Sequence, residues 1–407
     1  MSDLACQQNH SLMPDINDIA GLRADTPGTS KVIHLNNAGA SLPPKPVSEA
    51  LANYLAEEHL MGGYETMQAR AEELREFYLL AAQLVNGHKR NMAFAGSATN
   101  AFNKALSSIP FKAGDVLLTT DDDYVSNHIA FLSLQKRMGI KVLRAAKAPE
   151  GGVDVQSMKT LIDRHHPKLV SVTHVPTNSG LVQPVEAIGE LCQAKEIWYI
   201  VDACQSAGQL PLDVSKIKCD FLSATMRKFM RGPRGAGLLY ASNRVLKEGL
   251  EPFFPDLHGA QWTDVEAYRL APSAIRFEYF ERPYELMVGS AAAMRYALNL
   301  GLANIERRVK ALADLTRQKL SALPGVRVLD KGAELCGIVT AANPNWKKET
   351  LIGHLKKANI NFSTQGRHNA LIDFDEKGVE WALRVSPHYY NTEEEIEALV
   401  AALQDLA

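Results

Sequence analysis

Between residues 116 and 240, short apolar runs alternate with stretches whose apolar positions recur every three or four residues. The runs 116–119, 141–144, 169–175, 198–202, 221–224 and 237–240 have strand length and are rich in apolar and β-branched residues, which predicts buried strands. The segments 126–138, 154–165 and 184–194 between them have helical spacing, with Asp154 and Pro184 as helix-start residues. Alternation of this kind means βαβ units, so the pattern predicts an α/β fold with a mostly parallel central sheet and helices on both faces. Upstream, 47–55 and 66–85 predict two amphipathic helices, and 286–323 reads as a long Ala/Leu-rich helical stretch. The pattern then changes: strands at 326–329, 337–341, 359–363 and 382–386, with helices at 347–357 and 391–406. Thr392 with Glu395 three positions on forms a capping box for the last of these. The expected division is a large unit over 25–285 and a smaller α+β unit made of 1–24 and 286–407.

Composition narrows the classes. The chain has 407 residues, 46% hydrophobic and 22% charged, with a formal net charge of −2, ordinary for a soluble globular protein and without the basic footprint of a nucleic-acid or anionic-membrane binder. Cys6, Cys192, Cys204, Cys219 and Cys336 are scattered, odd in number and never spaced CxxC, which argues against a disulfide framework or a zinc site and fits a reducing compartment. No HExxH, EF-hand or Walker pattern is present, so no metal is expected. The first residues carry neither a basic n-region nor an apolar run, and a cytoplasmic location is the expectation.

The chemistry concentrates in two segments. Asp202 ends one predicted strand, and Thr225, Met226, Arg227 and Lys228 end the next, followed by Gly232-Pro-Arg-Gly235. In an open parallel sheet the strand C-termini point into the ligand crevice. Lys228 lies near Arg227, Arg231 and Arg234 in sequence, and neighbouring positive charge disfavours an ammonium, one way a lysine becomes nucleophilic enough for Schiff-base chemistry. Upstream, Gly96-Ser-Ala-Thr-Asn100 opens a helical pattern, and small residues at a helix N-terminus make a phosphate cup. Pyridoxal phosphate needs this set: a carboxylate for the ring nitrogen, a lysine for the aldehyde, and amides, hydroxyls and a cation for the phosphate. The glycines at 232, 235 and 237 do not have dinucleotide-loop spacing and lead into a strand.

With Asn36-Asn-Ala-Gly-Ala-Ser41, His174-Val-Pro-Thr-Asn-Ser-Gly180, Val201-Asp-Ala-Cys-Gln205, Arg276-Phe-Glu278 and Arg384-Val-Ser-Pro-His-Tyr-Tyr-Asn-Thr392, the chain resembles the class V aminotransferase group of fold-type I pyridoxal phosphate enzymes from about residue 36 to its end. The resemblance implies Lys228 as the Schiff-base lysine and Asp202 as partner of the ring nitrogen. It also implies Gln205 and Asn178 at the ring 3-oxygen, Ala98, Thr99, Thr225 and Arg227 at the phosphate, and Tyr124 stacked on the ring. Arg384 would clamp the substrate α-carboxylate, for which a bidentate guanidinium is suited, with Asn37 on the substrate side. A homodimer is implied, with residues 277–282 reaching the neighbouring subunit's phosphate. Arg367, His368, Trp262 and Tyr268 are further candidates for the pocket wall.

Three departures lean away from the cysteine desulfurases of this group, towards its epimerase-like and C–S lyase members. The loop 363–370 lacks the persulfide-forming cysteine, with Asn369 nearest its position; Arg227 stands where histidine is usual; and Tyr124 replaces the stacking histidine. The expected reaction is β-elimination from a cysteine-derived amino acid, releasing pyruvate and ammonia, ahead of epimerisation and then transamination. A non-catalytic regulator is disfavoured because only about 30 residues precede the motif-bearing region, too few for a fused DNA-binding domain.

Overall fold

The computed structural model describes residues 15–404 and Leu406. Seven strands form the large sheet: β1 (Met92–Ala95), β2 (Val116–Thr119), β3 (Lys141–Arg144), β4 (Leu169–Thr173), β5 (Trp198–Asp202), β6 (Phe221–Thr225) and β7 (Gly237–Ala241), in the order β1-β7-β6-β5-β4-β2-β3. Strands β3, β2, β4, β5 and β6 pair in parallel, while β7 runs antiparallel to both of its neighbours. Six of the seven are legible in the hydrophobic pattern. β1 is not, because Met-Ala-Phe-Ala has no β-branched residue to mark it. Every residue of β4, β5 and β6 is buried, as crossover helices on both faces require.

The predicted helix 154–165 runs Val155–His165, with the Asp154 side chain accepting from Gln156 N as its cap. Two predicted single helices are in fact pairs. The stretch 66–85 breaks at Arg70 into Gly63–Ala69 and Ala71–Leu84, and the stretch 286–323 breaks at Gly301, which takes a positive φ of 82°, into Tyr284–Leu300 and Leu302–Ser321.

The smaller sheet holds β8 (Arg327–Val328), β9 (Val339–Ala342), β10 (Ser363–Gly366) and β11 (Trp381–Val385), all antiparallel, in the order β8-β9-β11-β10. The last helix, Glu393–Gln404, carries the predicted capping box: Glu395 N donates to Thr392 Oγ1 and Thr392 N to Glu395 Oε2, each at 3.3 Å. The N-terminal segment joins this unit as far as Asn36. Arg23 pairs with Glu395 at 2.8 Å, Ile33–His34 pairs in parallel with Ile360–Asn361, and Asn36 bridges to Ser386. Cys6 and the rest of 1–14 lie outside the described residues. Among the described residues no helix is long and apolar enough to cross a membrane.

Candidate active site

The C-terminal ends of β2, β4, β5 and β6 open onto one cavity, whose lining includes Ala98, Thr99, Tyr124, Asp202, Gln205, Thr225, Arg227 and Lys228. Eight of the eleven cofactor and substrate residues singled out from the sequence are thus brought to one place, at the edge where an open α/β sheet binds its ligand; Asn178, Arg384 and Asn37 are not in the lining.

The floor is built around Asp202. Its Oδ1 accepts from Cys204 N at 2.9 Å and its Oδ2 from Asn127 Nδ2 at 3.1 Å. Burial pushes its pKa up, offset in part by these two donors. Asn127 also donates to Asp123 Oδ1 at 2.9 Å, and Asp123 further accepts from Thr119 Oγ1 and Tyr124 N at 2.7 Å each and from Thr173 Oγ1. Two buried carboxylates are therefore bridged by one amide, a network that fixes the direction in which Asp202 faces. Asp123, Asn127 and Thr173 escaped the sequence reading. Their signal was an Asp and an Asn four apart at a strand-to-helix junction, spaced to share one helical face.

Lys228, 7% exposed, stands three residues beyond β6. Its Nζ lies 6.0 Å from the centroid of the Tyr124 ring and meets the Cys204 thiol. The crowd of cations expected around it is dispersed. Arg231 turns into the core, donating to Tyr389 Oη and Thr26 Oγ1 at 2.6 Å each, and Arg234 is exposed. Arg227 alone of the three shares the pocket.

The helix Ala98–Ser108 begins at the cavity, with Ser97 Oγ accepting from Asn100 N at 3.0 Å, so the N–H groups of Ala98 and Thr99 stay free for an anion. This approach depends on Gly237. A Cβ there would stand 2.7 Å from Ala224 O and 2.8 Å from Ser97 C, both backbone atoms. Gly237→Ala is expected to destabilise the protein by about 1–3 kcal/mol, read as a lower denaturant midpoint. An unchanged midpoint would mean that the Ser97 turn is free to back away.

On the other side, Gln205 Nε2 donates to Thr177 Oγ1 at 2.6 Å and Ala38 O at 3.1 Å, leaving its Oε1 buried and without a partner. Asn178 Oδ1 is also buried and unpartnered. Arg384, 4% exposed, donates from Nη1 to Thr177 O at 3.1 Å and from Nη2 to Asn36 Oδ1 at 3.4 Å, while its Nε has no partner. Burial first, and then the Arg227 charge, pull its pKa down to about 10. Buried polar atoms without partners are rare in folded proteins and point to a bound group. Gln205 lines the cavity; Asn178 and Arg384 do not, though Arg384 meets the lining residue Thr177, and the unpartnered atoms together fit a polar ligand such as pyridoxal phosphate.

Asn37 is a correction. It is fully buried, its Nδ2 donates to Ser386 O at 2.7 Å, and its Oδ1 accepts from Tyr390 Oη at 2.6 Å, so both ends of the amide are spent on the fold. Its neighbour Asn36 is the residue that meets Arg384. Arg367 is held by Asp375, and Trp262 and Tyr268 lie exposed on the hairpin Ala260–Asp264/Ala267–Leu270; none of the three lines the cavity.

The aminotransferase class-V family model matches residues 33–399. A probable cysteine desulfurase of Pyrococcus abyssi is 31% identical over 398 residues, spanning 95% of this chain and 96% of the relative. Among solved structures, the cysteine desulfurase of Thermococcus onnurineus NA1 is 28% identical with a TM-score of 0.87, covering 95% of this chain and 97% of that one. The cystine C–S lyase C-DES, at 22% identity and a TM-score of 0.83, shares the fold over 94% of this chain and all of its own. The first two relatives carry the name that the loop 363–370 argued against, and they set carbon–sulfur chemistry ahead of epimerisation. With its sheet order, its lysine and carboxylate on adjacent strand ends and this match over nearly its whole length, the chain belongs to the class-V aminotransferase family and is a fold-type I, pyridoxal phosphate-dependent enzyme.

Proposed function

We propose that this enzyme is a C–S lyase, cleaving the bond between the β-carbon and sulfur of a cysteine-derived amino acid to release pyruvate, ammonia and a thiol. One observation carries the choice of lyase over desulfurase: the segment 363–370, whose Asn369 carbonyl accepts from Asn178 Nδ2 at 3.3 Å, contains no cysteine. A desulfurase needs a mobile thiolate there to take the sulfur.

Bound in the cavity, pyridoxal phosphate supplies an electron sink for the α-carbon. Lys228 Nζ would hold the cofactor and, once free, would take the substrate's α-proton as general base. Asp202 keeps a proton on the ring nitrogen, and burial favours this role because the carboxylate gains most from a cationic partner. The Ala98 and Thr99 amides, the Thr225 hydroxyl and Arg227 would hold the phosphate, Gln205 and Asn178 the ring oxygen, and Tyr124 would cover the ring. Arg384 orients the α-carboxylate so that the α-proton faces Lys228. Cytoplasmic location and a homodimer belong to the same reading. The dimer is supported by a row of exposed large apolar side chains, Phe253, Phe254, Leu257, Trp262, Tyr279 and Phe280, beside the stretch that Glu278 anchors to β1 through Phe94 N at 2.7 Å.

A second reading is kept alive by the relatives' name and by Cys204, which lines the cavity: transfer of sulfur to that thiol. Burial pushes the Cys204 pKa up, which disfavours the thiolate this needs. Proton NMR in D₂O on the loaded enzyme separates the cases. Pyruvate from S-substituted cysteines is the expected result. Alanine from free cysteine would establish the desulfurase, and α-deuteration without either product would sink both.

A further inference from the structure

Two successive carbonyls in the turn 174–180 each accept from a buried cation. Arg384 Nη1 donates to Thr177 O at 3.1 Å, and Lys377 Nζ donates to Asn178 O at 3.2 Å. Thr177 lines the cavity, where its Oγ1 accepts from Gln205 Nε2 at 2.6 Å. Asn178 in turn donates from Nδ2 to Asn369 O at 3.3 Å. One short turn thus joins the cavity wall to the segment 363–370.

Lys377 ends the helix Leu371–Lys377, which follows directly on that segment. Its Nζ also donates to Asp373 Oδ2 at 2.8 Å, and Asp373 and Lys377 are only 8% and 7% exposed. On a helix surface an i,i+4 pair of this kind stabilises slightly. Buried, it carries a desolvation cost, and packed apolar residues of similar size often serve a fold as well. An apolar side chain cannot hold Asn178 O. The helix is too short to persist alone and is fastened on its other side as well. Glu376 accepts from Lys331 Nζ at 2.9 Å and from Lys147, which follows β3 of the large sheet, and Arg327 Nη2 in β8 donates to Lys377 O at 2.8 Å. We propose that Lys377 is a positioning residue: acting through Asn178, it holds the cavity wall at Thr177 and pins the segment 363–370 against it. A pinned segment suits a lyase, which hands its sulfur to no side chain, and not a desulfurase, whose acceptor must swing. The inference deepens the lyase reading and rests on it for the product alone.

The test compares the loaded wild type with Asp373→Leu/Lys377→Met, which removes the pair without leaving a buried charge, and with Asp373→Asn, which keeps the bond from Lys377 to Asn178 O. In the double variant, amide hydrogen exchange is expected to quicken at least about tenfold in both 174–180 and 363–377, with β6 unchanged, because a charge-assisted hydrogen bond is worth about a decade in a local opening equilibrium. In Asp373→Asn, 174–180 should exchange within about threefold of the wild type. Quickening confined to 371–377 in the double variant overturns the proposal. So does quickening of 174–180 to the same degree in Asp373→Asn. The wild type alone gives an arm that needs no variant to fold: 174–180 and 363–370 should open in one transition across a denaturant series, and separate transitions overturn the proposal. Kinetically, KM for S-methylcysteine should rise at least about fivefold in the double variant with kcat within about twofold, since Thr177 O anchors the arginine that orients the substrate before any bond breaks. An unchanged KM beside quickened exchange removes Lys377 from the reaction and overturns the positioning role. If the wild type releases alanine from free cysteine and no pyruvate, the lyase reading fails alone, and the same split is read on alanine.

Discussion

Lys228→Ala is expected to lower turnover by at least about 10³-fold, because it removes both the amine that holds the cofactor and the base that moves the α-proton. The side chain is buried, but its environment is polar: Nζ meets the Cys204 thiol and faces the Tyr124 ring, and it has no carboxylate partner among the described residues. Truncation therefore strips no ion pair from the fold, and the denaturant midpoint should move little. The cofactor is still expected to bind through the helix Ala98–Ser108, Thr225 and Asp202, with its absorption changed because the bond to Nζ is gone. Small primary amines added to the variant should restore part of the turnover, since they replace the missing proton acceptor in the space the side chain leaves. A variant that turns over S-substituted cysteines at wild-type rate would remove Lys228 from the mechanism. One that unfolds would show the lysine to be structural.

The sequence made the strand-end chemistry readable because each part is local. Asp202 closes an apolar run and Lys228 follows the next one, so chain order alone sets them on neighbouring strands, while Ser97 is marked by the helical pattern it precedes. What lay beyond reach depended on side-chain direction. Arg231 and Arg234 stand within six positions of Lys228, yet a positive φ of 58° at Arg231 helps turn that residue towards Thr26 and Tyr389, more than 150 positions away in the chain. Asn36 and Asn37 are adjacent and of one type, and only the register of the bridge from Asn36 to Ser386 decides which of them meets Arg384. The Asp123–Asn127–Thr173 network joins three segments through side chains, and no periodicity records that. The hairpin Ala260–Asp264/Ala267–Leu270 has exposed residues along both strands, so the alternation that marks a half-buried strand is missing.

Asp202→Asn is expected to cost about 10- to 100-fold in kcat, because a hydrogen bond to a charged group is worth about 1.5–3 kcal/mol and each 1.4 kcal/mol is a decade in rate. Asparagine keeps the shape and can still accept from Cys204 N, but it cannot hold a proton on the ring nitrogen. The loss should fall on kcat with little change in KM, since Arg384 and the amine contacts are untouched. A pH signature separates this role from a packing one. In the cofactor-free protein burial raises the Asp202 pKa, so the folded state binds a proton more tightly there than the unfolded chain does. Stability from this group is therefore fullest below its unfolded pKa and falls as pH rises towards the folded value. A protonated ring nitrogen beside the carboxylate removes that penalty, so the stabilisation conferred by pyridoxal phosphate should grow with pH over the same range in the wild type and stay flat in Asp202→Asn. Thermal unfolding of both proteins, with and without cofactor, across the acidic range measures it. Equal slopes in the two proteins would mean that Asp202 is not the ring's partner, and the network through Asn127 and Asp123 would then have to be read as packing alone.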